Sequence, residues 1–193
     1  MNILLELLAL SEAKGKNLLG MTINKKKITK QTPSEPWPGN FSCSANQLTS
    51  LEFCPKDVGG DFYCFNNKLT SLEFCPEKVG GNFSCSANQL TSLEFCPKEV
   101  GSNFWCSSNK LTSLADIHKR LKKMDGIFYA DGNPIKSNVI GLMLVAGCKE
   151  VDLDNDEVEK IMNKHMKSPF GHLRLLECQE DLLSAGFEEW AEL

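Results

Sequence analysis

The sequence is poor in the features that mark most catalytic and nucleic-acid-binding proteins. It has three histidines, and none stands in an H-E-x-x-H or another recognised catalytic spacing. A P-loop and a G-x-G-x-x-G motif are both missing. The 21 basic and 25 acidic residues give a formal net charge of −4, which argues against an electrostatic footprint for nucleic acid or an anionic membrane. We therefore expect a protein that is not an enzyme and needs no cofactor or metal.

Long apolar runs are also missing. No window reaches the ~18 apolar residues that a membrane-spanning helix needs. The start, MNILLELLALSEAKGK, is apolar, but it lacks the positively charged n-region of a secretory signal and contains Glu6. We expect the protein to stay in the cytoplasm without membrane contact. In that reducing compartment its nine cysteines are expected to be mostly free thiols.

What the sequence does contain is a repeat of 21 residues. Its first copy reads FSCSANQLTSLEFCPKDVGGD, and the first and third copies are identical at 18 of 21 positions. The fourth copy is longer and the fifth, FYADGNPI, is degenerate. The copies begin at Phe41, Phe62, Phe83, Phe104 and Phe128. Trp37, in PWPGN, takes the position of Val58 in the tail of an earlier repeat.

The repeat predicts a solenoid of the α/β class. Alternation in F-x-C indicates a short strand whose phenylalanine and cysteine point inward. The asparagine that follows has amide donors and an acceptor, so it can satisfy buried main-chain groups where the chain leaves the strand. Prolines on the opposite side favour extended or 3₁₀ segments there. The pair Gly59–Gly60 is expected to have unusual backbone dihedral angles. Each repeat must stack on its neighbours to bury its apolar side.

The pattern F-x-C-x-x-N-x-L-x-x-L resembles the leucine-rich-repeat consensus. The recurring N-x-L-T-S-L-E-x-C-P-x-x-V-G-G is similar to leucine-rich-repeat proteins encoded by tailed bacteriophages. This resemblance implies parallel strands on a concave face and a viral setting, with no reaction attached. The array is also distantly similar to bacterial effectors that carry a ubiquitin-ligase domain. This chain departs from them, because residues 136–193 are too few for that domain and its C-x-D motif is missing.

Three regions follow from the pattern. Residues 1–32 predict an N-terminal capping helix with a lead-in, residues 33–135 the leucine-rich repeats, and residues 136–193 a C-terminal helical module. The N-terminal cap rests on an amphipathic pattern of five apolar residues: Ile3, Leu4, Leu7, Leu8 and Leu10. Further helices are predicted near 116–124, 136–146, 155–167 and 172–184, with a last turn around FEEWAEL.

Two groups of residues resemble metal or disulfide sites, but simpler structural interpretations are favoured. The cysteines form two ladders with neighbours ten or eleven residues apart, too far for a C-x-x-C metal site. Stacked strands place like cysteines about 5 Å apart, which leaves a disulfide geometrically open, but small buried hydrophobes are favoured. DLDNDE at 152–157 resembles a calcium loop, yet Glu157 and Asn163 occupy positions that require glycine and glutamate. Asp154 or Asn155 capping the next helix is favoured.

The residues between the inward phenylalanine and cysteine positions form the candidate site. They are small and polar in repeats one and three, but aromatic in repeats two, four and five. Exposed aromatics with a polar rim are typical of protein-binding hot spots. The alternative is that the C-terminal helices or a loop cover some of them. The predicted partner-binding residues are Asp61, Tyr63, Phe65, Asn82, Ser84, Asn103, Trp105, Ser107, Tyr129 and Asp131.

These observations lead to one main hypothesis and two alternatives. The first is a phage-encoded protein that binds a host or phage protein and inhibits or redirects it, for example in anti-phage defence, in the host cytoplasm. The second is a single-stranded nucleic-acid binder that uses Lys25–Lys27 and Lys30 with aromatic stacking, which the net charge opposes. The third is an enzyme in the C-terminal helices. His172 and Cys178 are six residues apart, which does not place them on one helix face.

Overall fold

The structure is a computed structural model that describes residues 36–193, except positions 53, 116 and 168–170. The predicted N-terminal cap and lead-in therefore lie outside the described residues. The described chain forms a parallel β-sheet wound into a solenoid of about five turns, with helices after it. Within that part, none of the helices combines the length and the apolar character needed to cross a membrane.

Two ladders of two-residue strands run along the solenoid. The first ladder contains β1 (Phe41–Ser42), β3 (Phe62–Tyr63), β5 (Phe83–Ser84) and β7 (Phe104–Trp105). The second ladder contains β2 (Asp57–Val58), β4 (Lys78–Val79) and β6 (Glu99–Val100). The 21-residue period sets the register, since Phe62 pairs with Phe83 and Val58 with Val79. Trp37 bridges Val58, which confirms its predicted repeat position.

The longer strand β8 (Lys123–Tyr129) joins the two ladders. Its beginning pairs with β6 and its end with β7, so Lys123 lies beside Glu99 and Phe128 beside Phe104. The sequence predicts a helix near 116–124, after the fourth repeat. The structure has only the short helix α1 (Ile117–Arg120) there, because Met124, Gly126 and Phe128 alternate inward as strand residues.

A ninth strand, β9 (Ala146–Asp152), pairs in parallel with β8 and continues the sheet. The sequence predicts a helix that ends near 146 and no strand before the next helix at 155. Register shifts in the β8–β9 pairing explain this miss. The buried residues Cys148 and Val151 are three apart, so the period-2 alternation of a strand is lost. The C-terminal region is therefore not helical throughout.

The remaining elements surround this sheet extension. A 3₁₀ helix covers Val139–Leu144, within the helix predicted near 136–146. The helices α2 (Asp156–Met166) and α3 (Gly171–Ser184) follow, and a second 3₁₀ helix covers Glu188–Ala191. Asn155 caps α2 by accepting a hydrogen bond from the Val158 amide at 3.0 Å, which confirms one of the two predicted caps.

The glycine pairs are needed for close packing between turns. We expected unusual dihedral angles at Gly59–Gly60, but that expectation is wrong, since neither residue has a positive φ. Instead, a Cβ added at Gly80 would clash with the carbonyl oxygen of Gly59 on the neighbouring turn. A Cβ at Gly101 would clash in the same way with Gly80. The second ladder therefore requires a residue without a side chain at this position.

The core is a stack of repeated side chains. Phe41, Phe62, Phe83, Phe104 and Phe128 are all at most 2% exposed. Their ring centroids follow one another at 5.6, 5.9, 4.8 and 4.9 Å. All nine cysteines are free thiols and buried, and the seven in the repeats are placed as expected for small hydrophobes at repeat positions.

Candidate functional site

The first ladder fixes which side chains reach its outer surface. In β3, Phe62 is fully buried and Tyr63 is half-buried, while the following Cys64 is fully buried again. Neighbouring strands are in register, so Tyr63 lies beside Ser42 on one side and Ser84 on the other. Trp105 and Tyr129 continue the same row. We call the outer surface of β1, β3, β5, β7 and the adjoining parts of β8 and β9 the aromatic face.

An asparagine ladder holds the end of each strand. The Asn88 side chain donates to the carbonyl oxygens of Cys64 and Cys85, each at 3.0 Å. Its Oδ1 accepts from the Leu69 amide on the preceding turn, also at 3.0 Å. The equivalent bonds recur at Asn67, Asn109 and Asn133. These contacts confirm the role predicted for the asparagines, and they make the aromatic face a rigid platform.

A second row of side chains holds the beginning of each strand. The side-chain oxygens of Asn40, Asp61, Asn82 and Asn103 each accept a hydrogen bond from a main-chain amide one turn later. Three of the predicted partner-binding residues, namely Asp61, Asn82 and Asn103, are therefore engaged in holding the solenoid together. They remain half-buried at the edge of the aromatic face.

Two aromatic pairs dominate the face. Trp105 and Tyr129 stack with ring centroids 5.4 Å apart and planes inclined by 11°. Tyr63 and Phe65 meet edge to face at 6.1 Å. The Tyr63 hydroxyl donates to Asp61 at 3.0 Å. Partial burial and then this bond raise the pKa of Tyr63 above its ordinary value, so the phenol stays neutral at physiological pH.

Small residues separate the two aromatic pairs. Ser84 lies between Tyr63 and Trp105 in the sheet and is only 7% exposed, since larger side chains flank it on both strands. Ser107 is half-buried on the turn of Trp105. Phe65, in contrast, is 41% exposed. The aromatic face thus carries two aromatic pairs that are separated by small polar side chains.

Carboxylates line the end of the face beside Tyr129. Asp131, a predicted partner-binding residue, is half-buried two positions after Tyr129. Asp152 of β9 lies directly beside Tyr129 in the sheet. Burial and then the nearby Asp131 charge raise the pKa of Asp152 above its usual range. Asp152 is not among the predicted partner-binding residues, because the strand β9 that carries it was not predicted from the sequence.

A second set of exposed aromatic residues was not predicted from the sequence. Phe74 is 54% exposed and Phe95 is 41% exposed, and both stand in the repeated L-E-F-C-P segment. In the sequence, each lies between a strand of the first ladder and the following strand of the second ladder. The repeat could have revealed these residues, because a phenylalanine recurs in each L-E-F-C-P segment, close to a buried leucine and a buried cysteine.

Among the described residues, the titratable groups do not assemble a reactive centre. Burial raises the pKa of Cys96, Cys148 and Cys178 to about 12, so these thiols are poor nucleophiles. His165 is buried and its Nε2 lies 2.8 Å from Asp181, where it joins α2 to α3. Across the described residues, no three histidine, cysteine or acidic side chains converge as a metal site would require.

No protein-family model, curated protein or solved structure matches the chain.

Proposed function

We propose that this chain is a leucine-rich-repeat protein that binds another protein through its aromatic face. The observation that carries this proposal is the stacked pair of Trp105 and Tyr129 at the surface, with Tyr63 and Phe65 nearby. The phenylalanine stack already fills the core, so these rings are not needed there. Preformed aromatic side chains with a polar surround supply contact area at a low cost in conformational entropy.

The resemblance of the repeat to phage-encoded proteins extends the proposal. We infer a phage protein that binds and inhibits or redirects a host protein in the host cytoplasm, for example one of an anti-phage defence system. Single-stranded nucleic acid is a weaker candidate, because the aromatic face carries carboxylates that repel phosphate. A salt titration with a single-stranded oligonucleotide tests that candidate, since phosphate contacts weaken steeply as salt rises.

Affinity capture from a bacterial lysate, read by mass spectrometry, tests the proposal. The wild-type protein is compared with the double variant Tyr63→Ala/Trp105→Ala. A matched control is Phe95→Ala, which removes an aromatic ring exposed to the same 41% as Phe65 but outside the aromatic face. We expect the partner to be captured by the wild type and the control, and lost with the double variant. Equal capture by all three proteins would contradict the proposal.

A further inference from the structure

The end of the aromatic face at β8 and β9 differs in chemistry from the rest. In the row that crosses the sheet, Tyr63, Ser84, Trp105 and Tyr129 are neutral, but the last member is Asp152. Asp131 stands on the same side, two residues beyond Tyr129. A stacked aromatic pair is thus followed at once by two carboxylates.

These two carboxylates lack a cationic partner in the described part of the chain. Glu150, on the same strand as Asp152, is paired with Lys167 at 3.6 Å. No basic side chain among the described residues lies within 4 Å of Asp131 or Asp152. The raised pKa of Asp152, caused first by burial and then by its acidic neighbours, agrees with this excess of negative charge. Because the carboxylates of Asp131 and Asp152 carry like charges near each other, they favour a cation that a binding partner supplies.

A cavity adjoins the same end. It has a volume of about 200 Å³ and opens where β8 and β9 end, with Leu153, Asp154 and Trp190 in its lining. This volume is below that of pockets for drug-sized ligands, but it suits one amino-acid side chain. Its lining combines the Trp190 indole ring and three aliphatic side chains with Asp154 and two asparagines. A side chain with an apolar stem and a polar or positive head matches such a lining.

We propose that this end of the aromatic face recognises a basic polypeptide segment, with an arginine or lysine of the partner placed against Trp105, Tyr129, Asp131 and Asp152. The inference rests on the proposed protein-binding function and specifies the chemistry of the partner. Aromatic rings attract a cation over their faces, and the carboxylates add charge complementarity. A metal ion is a poorer match, since the acidic groups here do not converge on one point within the described residues.

The test uses two fluorescein-labelled peptides, nona-arginine and nona-glutamate, with binding followed by fluorescence anisotropy. The variant Asp131→Asn/Asp152→Asn removes the two carboxylates. The control Glu73→Gln/Glu94→Gln removes two exposed carboxylates outside the aromatic face and changes the net charge equally. We expect nona-arginine binding to weaken about tenfold in the first variant and less than about twofold in the control. Nona-glutamate should not bind.

Equal weakening by both double variants would overturn the inference, because binding would then follow net charge alone. Unchanged nona-arginine binding in Asp131→Asn/Asp152→Asn would also overturn it. The same variants in the affinity capture separate this inference from the proposed function. Partner loss with Tyr63→Ala/Trp105→Ala but not with Asp131→Asn/Asp152→Asn would leave the protein-binding function standing and reject the basic segment. Retention by both variants would reject both.

Discussion

Trp105 and Tyr129 stack across two adjacent parallel strands, with ring centroids 5.4 Å apart and planes inclined by 11°. Directly behind them, Phe104 and Phe128 stack in the core with centroids 4.9 Å apart. The same register therefore orders one aromatic pair inside the solenoid and another on its surface. Because the Trp105 and Tyr129 rings are already stacked in place, binding of a partner should cost little side-chain conformational entropy at these residues.

The close approach of stacked turns makes Gly80→Ala destabilising. The added Cβ would overlap the carbonyl oxygen of Gly59, so we expect the free energy of unfolding to fall by about 1–3 kcal/mol. Gly39→Ala is the matched control, because a Cβ there meets nothing within 4 Å and its φ is not positive. We expect it to be neutral or to stabilise by up to about 1 kcal/mol. Urea unfolding followed by circular dichroism measures both, and equal effects would refute the packing argument.

The asparagine ladder predicts a large effect for Asn88→Ala. This change leaves the buried amide of Leu69 without its acceptor, while the carbonyls of Cys64 and Cys85 each lose one of two donors and keep Asn67 and Asn109. At about 1–3 kcal/mol for the orphaned amide and about 0.5–1.5 kcal/mol for each other lost hydrogen bond, we expect a loss of at least about 2 kcal/mol in urea unfolding. Gln89→Ala alters the adjacent exposed side chain and should stay within about 0.5 kcal/mol. A small loss for Asn88→Ala would mean that the ladder adds little to stability.

Burial of the cysteines predicts slow thiol chemistry. With a pKa raised to about 12 at Cys96, Cys148 and Cys178, roughly one thiol in ten thousand is ionised at pH 8. Since only the thiolate attacks Ellman's reagent, the folded protein should react at the rate at which it unfolds. The denatured protein should then release nine equivalents of the coloured thiolate. Rapid labelling of several cysteines in the folded protein would show that the thiols are accessible and ionised.

The repeat made much of the array predictable. A constant period sets both the register and the side of each residue, so the buried Phe62 and Cys64 and the outward Tyr63 followed from position alone. The Trp37–Val58 bridge followed in the same way, although Trp37 lies in a degenerate copy. The role of the asparagines followed from the capacity of an amide both to donate and to accept.

What lay beyond the repeat depended on contacts that no local pattern reveals. The strand β9 is recognised by its pairing with β8, and the shifted register removes the alternation that would have marked it. Asp152 was therefore missed. The repeat glycines Gly59 and Gly80 have no positive φ, and the close approach of the neighbouring turn explains them. Asp61 stays a predicted binding residue, and the hydrogen bonds that its side chain accepts from Asn82 on the next turn were not predicted.

The most direct test of the account is the dissociation constant between the purified chain and its captured partner, measured by isothermal titration calorimetry. We expect Trp105→Ala to weaken binding at least about 30-fold, the effect of losing a hot-spot residue of about 2 kcal/mol. Phe95→Ala should leave the constant within about twofold, and both variants should unfold at the same urea concentration as the wild type. An unchanged dissociation constant for a folded Trp105→Ala protein would contradict a partner-binding role of the aromatic face.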